Sequence, residues 1–263
     1  MKKYRIIDFH THPFLNKTQN ICSHIESSNM SVDNTLTDCH RLGIEHICGA
    51  VINTRAYAPE TITWDYIKGL NDQALSLRDY YKGFYIPGFH IHSGYVKESI
   101  AEIERMHKLG VRLIGELVPH MHGWEDYNDK DFWDIMEAAE HYDMVVSIHG
   151  AGAEKDDSFV SHFKKLKIVG AHPGEMWDSM PANFKRMEQN ENYYLDWSGT
   201  GLFRHGALRH AIDLFGKERN LFGSDFPTCN LPMFVGGVTM DYLLTEEEKD
   251  YVLYKNAARL LNL

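Results

Sequence analysis

Short apolar runs rich in β-branched and aromatic residues alternate along this chain with longer stretches of helical period, the pattern of parallel strands joined by crossover helices. Eight such runs are centred near Ile7, Ile47, Tyr85, Leu113, Val146, Val169, Tyr194 and Leu221, with an interval long enough for a helix between each pair. Phe132, Ile135, Met136 and Ala139 keep the i, i+3, i+4, i+7 spacing of one helical face, and Leu208, Ala211, Ile212 and Phe215 repeat it. Ile100, Ile103, Met106 and Leu109 predict another buried face, closed by Gly110 as the residue after the helix. Thr245 and Glu248 have capping-box spacing and predict the start of the last helix. These stripes read as core.

Eight β/α units in 263 residues match a (β/α)8 barrel of the TIM type, whose active sites sit at the C-terminal ends of the strands. An open doubly wound sheet is the competing architecture. No GxGxxG or Walker loop follows any strand, and the first unit carries histidines where a nucleotide fold would carry glycines, so the barrel is preferred. No linker or low-complexity tract divides the chain, and one domain over residues 1–263 is expected. Two longer connections, Thr11 to Asn34 and Phe226 to Leu244, read as loops able to cover the site.

Composition narrows the function without naming it. Lys and Arg total 27 against 37 Asp and Glu, a formal charge of -10, which argues against non-specific binding to nucleic acid or an anionic membrane. Cys22, Cys39, Cys48 and Cys229 are scattered with no CxxC pair, so reduced thiols are expected and neither a disulfide framework nor a thiolate zinc site is. No apolar stretch approaches the length of a membrane span, and a cytoplasmic protein is expected.

Candidate chemistry begins at Asp8-Phe9-His10-Thr11-His12-Pro13. Strand side chains alternate faces, so His10 and His12 project the same way and can reach one metal ion together. Asp8 shares their parity and could orient an imidazole through its second N–H. With 16 histidines in the chain, one His-x-His is a weak signal. The test is whether further ligand types fall at strand ends, and they do: Glu116 after Leu113-Ile114-Gly115, His149 after Val146-Ser147-Ile148, His172 after Val169-Gly170-Ala171, and Asp225 after Phe222-Gly223-Ser224. In a closed barrel these ends converge on one mouth. His90 and His92 follow strand three as candidate substrate contacts, whereas His24, His40, His107, His141, His162, His205 and His210 read as surface or helix-packing residues.

These pieces resemble the amidohydrolase superfamily, and within it the amidohydrolase-2 type. The resemblance runs through Asp8-Phe9-His10-Thr11-His12, Asn71-Asp72, Gly115-Glu116, Ser147-Ile148-His149, Ala171-His172-Pro173-Gly174, Phe222-Gly223-Ser224-Asp225-Phe226-Pro227 and Asn256-Ala257-Ala258-Arg259-Leu260-Leu261. It implies a distorted (β/α)8 barrel holding one or two divalent metal ions, zinc being favoured, and usually hydrolysis. By the same resemblance His10, His12 and His149 look like metal ligands, and Asp225 like a ligand that also accepts a proton. His172 resembles either a ligand of a second ion or a group that orients or deprotonates water. Glu116 departs from the carbamylated lysine of many two-metal members and resembles the bridging glutamate of TatD-type nucleases and some lactonases. A homodimer is plausible on the same ground.

The expected chemistry is a metal that lowers the pKa of bound water towards ~7 while polarising a carbonyl, with Asp225 shuttling the proton to the leaving group. Arg55, just past strand two, could pair with a substrate oxyanion, and Trp124, Trp197 and the segment Asp196-Trp197-Ser198 at strand seven could shape the pocket. The first reading is hydrolysis of an amide, ester or lactone in a small organic molecule. The alternative is non-oxidative decarboxylation of an unsaturated or aromatic acid, as in the aminocarboxymuconate semialdehyde decarboxylase branch. By the same resemblance, decarboxylating members are expected to lack a carboxylate ligand on strand four, so Glu116 tilts the balance towards hydrolysis. A nuclease and a catalytically inactive metal-binding barrel stand behind both.

Overall fold

The computed structural model describes residues 3–13, 32–51, 53, 55, 58–124, 127–150, 152–174 and 179–263. In chain order it contains β1 (Ile6–Asp8), α1 (Val32–Arg41), β2 (Ile44–Gly49), α2 (Trp64–Tyr80), β3 (Tyr85–Phe89), α3 (Val96–Lys108), β4 (Leu113–Leu117), α4 (Pro119–His122), α5 (Lys130–His141), β5 (Val145–His149), α6 (Ala153–His162), β6 (Lys167–Ala171), α7 (Ser179–Gln189), β7 (Tyr193–Asp196), α8 (Ala207–Phe215), β8 (Asn220–Leu221), α9 (Leu231–Thr239), α10 (Glu246–Asp250) and α11 (Asn256–Leu261). All eight predicted strand centres fall at their strands.

The strands pair in parallel in the order β1 to β8. The two edges meet through backbone bonds just past the strands: Phe9 N–H to Phe222 O (3.0 Å), Asp225 N–H to His10 O (2.8 Å) and His12 N–H to Phe226 O (2.7 Å). This closure makes a distorted (β/α)8 barrel, and it draws the two motifs carrying His10, His12 and Asp225 side by side.

Two apolar layers follow from strand alternation. Ile7, Cys48, Leu113, Val145, Val169 and Leu221 form the inner layer, floored by Ala257, Leu260 and Leu261 of α11. Residues of the opposite parity, among them Ile6, Ile114, Val146 and Ile168, pack outward against the helices. Buried asparagines fasten the layers. Asn256 Nδ2 donates to the carbonyls of Asn220 and Lys217 (both 2.7 Å), tying the C-terminal helical segment to β8. Asn71 of α2 accepts from His90 N–H (2.8 Å) and donates to His90 O (3.0 Å), fixing the chain as it leaves β3.

The helices form where their apolar period and caps predict, with two corrections. In α5 the four predicted face residues are all buried, and Asp129 caps the first turn. In α3, Leu109 is 44% exposed and Ser99 and Glu102 complete the buried face, because Leu109 is already the C-cap and the chain turns away at Gly110 (φ +77). The Thr245–Glu248 capping box is present and opens α10, which runs through one π-helical turn into α11. The predicted loop from Phe226 to Leu244 contains α9 instead: Asn230 caps it, and Leu231, Phe234, Val235 and Val238 bury one face. Most of the other predicted loop, with Cys22 and His24, lies outside the described residues; among the described residues Cys39, Cys48 and Cys229 form no disulfide. No described helix is long and apolar enough to cross a membrane.

Candidate metal centre and active site

The strand-end residues converge on one point. His10 Nε2 lies 3.3 Å from His12 Nε2 and 3.3 Å from Glu116 Oε2, and His12 Nε2 lies 3.5 Å from the same oxygen. Asp225 Oδ1 closes this group at 3.3 Å from His12 Nε2 and 3.9 Å from His10 Nε2. The other oxygen of Glu116 faces a second pair of imidazoles, 2.9 Å from His149 Nδ1 and 3.3 Å from His172 Nε2. Glu116 therefore stands between two histidine pairs, one on each carboxylate oxygen. His10, His12 and Glu116 are one triad able to hold a metal, and Glu116, His149 and His172 are another.

Local backbone geometry aims these groups. The β4–β5 register shifts between Ile114 and Leu117, which turns Glu116 out of simple alternation. Gly115 has φ +97, and a Cβ there would strike the Ser147 carbonyl, so only glycine fits before Glu116. His172 (φ 59) and Asp225 (φ 60) both adopt the left-handed conformation, which is disfavoured for L-residues and is held here by the surrounding packing.

The electrostatics show what the cluster attracts. Burial pushes His10 and His12 towards neutrality, yet the neighbouring carboxylates outweigh it, Asp196 and Glu116 at His10 and Asp225 and Glu116 at His12. His10 is raised well above the ordinary imidazole value and His12 to about 9. Burial likewise opposes ionisation of Glu116, but His10, His12 and His149 hold it well below the carboxylate range. Asp225 is lowered against its burial by His12 and His10. Such a field binds protons tightly, and a divalent cation competes for the same lone pairs by displacing them. Two imidazoles and two carboxylates meeting within about 4 Å fit a divalent ion, zinc or manganese alike.

The residues around the cluster correct several expectations. Asp8 does not orient a histidine ring: its carboxylate accepts from the Ser224 backbone N–H (2.9 Å) and hydroxyl (2.5 Å), locking β1 to the Ser224–Asp225 turn. Burial raises the Asp8 carboxyl to about 7 against those bonds. The carboxylate that holds His10 is Asp196, at the end of β7, with Oδ2 3.0 Å from His10 Nδ1. Trp197 is fully buried in the outer core with Nε1 donating to Asn220 Oδ1 (2.8 Å), because alternation points it away from the mouth while Asp196 and Ser198 face in. Trp124 also packs, stacked at 5.2 Å on Phe132.

Arg55 is exposed. Its Nη1 donates to the Thr61 carbonyl (2.9 Å) and its guanidinium lies over the Tyr66 ring, so its fork is engaged and it does not line the cavity below. His90 is buried beside His122, ring centroids 4.8 Å apart, with Nε2 donating to the Val51 carbonyl (2.8 Å); it too is absent from the cavity lining. His92 donates through Nε2 to the His122 carbonyl (2.8 Å). His122 was missed by sequence reasoning, and Asp196 was read only as part of the Asp196-Trp197-Ser198 segment that shapes the pocket, not as the partner of His10. The Asp-x-Ser ending β7 was a usable signal, since it repeats the strand-end polarity seen on five other strands.

A cavity of about 600 Å³ opens directly on His149, His172 and Asp225 and extends to Asp156, Arg186 and Tyr193. Arg186 is committed to Asp157 (2.6 Å), Asn183 (2.9 Å) and Asp156 (3.3 Å), so it braces the wall.

Comparison with known proteins agrees with this picture. No curated protein matches the chain in sequence. Solved structures match it end to end: 5-carboxyvanillate decarboxylase from Sphingomonas paucimobilis (18% identity, 98% of this chain and 99% of that one, TM-score 0.72) and 2,6-dihydroxybenzoate decarboxylase from Rhizobium (16%, 100% and 99%, TM-score 0.74). A dihydroxybenzoic acid decarboxylase from Polaromonas sp. JS666, solved with bound manganese and 2-nitroresorcinol, is similar at 17% identity, 98% and 97% coverage and a TM-score of 0.73. These likenesses show a shared fold. The family model described as amidohydrolase matches residues 7–263, nearly the whole chain, and with it the histidine, glutamate and aspartate strand ends already located; the chain belongs to the amidohydrolase family.

Proposed function

We propose that this protein is a metal-dependent, non-oxidative decarboxylase of a small aromatic or unsaturated carboxylic acid. The observation that carries the reading is the position of Asp225, which touches the His10–His12–Glu116 group and lines the cavity at once. The cavity of about 600 Å³ has room for a one-ring acid, and the similar structures named above are decarboxylases of such acids. A divalent ion held by His10, His12 and Glu116, manganese or zinc, would anchor the substrate's oxygens and offset the negative charge that builds up as carbon dioxide leaves. Asp225 is held ionised, so it first takes a proton from a substrate hydroxyl or from water. It then returns that proton to the carbon whose bond to the carboxylate breaks, giving the decarboxylated product and carbon dioxide.

This order reverses the preference for hydrolysis drawn from the sequence, and one observation keeps hydrolysis as the second reading. Glu116 presents one oxygen to each histidine pair, so the two groups could each hold a cation, which would supply an activated water for hydrolysis. A panel of carboxyl-¹³C-labelled hydroxybenzoates and unsaturated acids, run beside a panel of esters, lactones and amides with manganese or zinc, separates the two. Release of ¹³CO₂ from an acid is expected; acid release from an ester, lactone or amide with no ¹³CO₂ from any acid would transfer the assignment to hydrolysis.

A further inference from the structure

The mouth contains a buried hydroxyl in contact with two of the clustered histidines. Ser198, just past β7 and fully buried, places its Oγ against Asp196 Oδ1 in a short hydrogen bond, 3.1 Å from His10 Nδ1 and 3.0 Å from His172 Nδ1. Its backbone N–H also donates to Asp196 Oδ1 (3.1 Å). We propose that Ser198 is a positioning residue which, together with Asp196, fixes His10 and His172 in one tautomer, with the proton on Nδ1 and the Nε2 lone pair turned to the metal side.

The argument is a count of protons. An ionised carboxylate only accepts, so the single Ser198 hydroxyl proton goes to Asp196, and the oxygen is left with lone pairs alone. Each imidazole nitrogen facing that oxygen must then bring its own proton. Once a bound cation or alkaline pH leaves each ring with one N–H, that proton is on Nδ1 and Nε2 of both rings is a bare acceptor. His10 has the Asp196 Oδ2 bond as well, but among the described residues His172 Nδ1 is hydrogen-bonded to Ser198 alone.

The alternative state is near at hand. Glu116 Oε1 lies 3.3 Å from His172 Nε2, and without an acceptor at Nδ1 the proton would move to Nε2 and donate there. That would close the nitrogen to a metal ion or to a substrate proton. Asp196 and Ser198 are both fully buried, so water does not replace the hydroxyl easily. The next residue is shaped for the same contact: Gly199 has φ +52, and a Cβ on it would strike the His172 ring.

The proposal rests on the metal-site reading given above, and its test keeps the two apart. Long-range ¹H–¹⁵N correlation spectra of ¹⁵N-histidine-labelled protein report the tautomer, with the His172 signals assigned by their loss in His172→Asn. In wild-type protein, zinc-loaded and also metal-free in alkaline buffer, His172 is expected as the Nδ1–H form. Ser198→Ala is expected to move the proton to Nε2 and to weaken zinc binding about 10- to 100-fold in a chelator competition. A wild-type His172 in the Nε2–H form overturns the proposal, and so does a folded Ser198→Ala protein with unchanged tautomer and zinc affinity within about twofold of wild type. Should Ser198→Ala not fold, the wild-type spectra decide by themselves. Zinc stoichiometry of the wild-type protein is read separately and bears on the metal site alone.

Discussion

Asp225 is the residue on which the proposed chemistry turns, because it is the carboxylate that joins the proposed metal-ligating group to the cavity. Asp225→Asn keeps the shape and removes the proton carrier, so turnover is expected to fall by about 10²–10⁴-fold while most of the metal is retained. Steady-state rates paired with elemental analysis check this, and unchanged turnover would remove Asp225 from its role. Asp196→Asn tests the support beneath His10: metal affinity is expected to drop about 10- to 100-fold with the fold intact, read by chelator titration and circular dichroism. The six strand-end residues were legible in the sequence because each ends an apolar run, a position that topology sends to the mouth. Asp196 and Ser198 were less so, since a bulky Trp197 between them attracts attention to itself, and only alternation reveals that it faces the core. Asp8 misled for a related reason: it shares parity with His10, but its two oxygens are already filled by Ser224.

At the scale of elements, the ends of β3 and α4 carry two histidines held neutral by burial. Burial lowers His90 to about 4, and burial with the neighbouring His90 lowers His122 to about 3. Folded values below the unfolded value of about 6.5 mean that the unfolded chain binds protons first as pH falls. The contribution of these two histidines to stability is therefore expected to be full above pH ~6.5 and to decline towards pH ~4, with His90 alone contributing on the order of 3 kcal/mol to the loss. Urea unfolding across that range measures it; His90→Gln should flatten the decline, and an unaltered slope would contradict the assignment. The outer layer offers a second check. Phe132 of α5 is fully buried between Trp124 and Phe159, with ring centroids 5.2 Å from each, so Phe132→Ala is expected to cost about 3–5 kcal/mol in the same unfolding experiment. The face of α5 was readable from its period. That of α9 was hidden by Pro232, Gly236 and Gly237, yet the proline sits in the first turn where it is tolerated, and Leu231, Phe234, Val235 and Val238 supply the face that packing rewards.

For the molecule as a whole, barrel closure turns a linear scatter of histidines into one site. The backbone bonds between the His10–His12 and Asp225–Phe226 segments close the sheet and bring the proposed metal ligands together in the same step. Eight strands were countable in the sequence because buried parallel strands read as short apolar runs. The shape of the cavity was not, because it depends on loops and on partners such as Arg186 and Asp156 that no local pattern connects. The central claim is that His10, His12 and Glu116 form a divalent-metal site on which activity depends. Elemental analysis of protein purified after growth with added manganese and zinc tests it most directly: at least about one equivalent of divalent metal is expected in the wild type and its loss in His10→Ala/His12→Ala, whereas a folded wild-type protein with less than about a tenth of an equivalent would contradict the account.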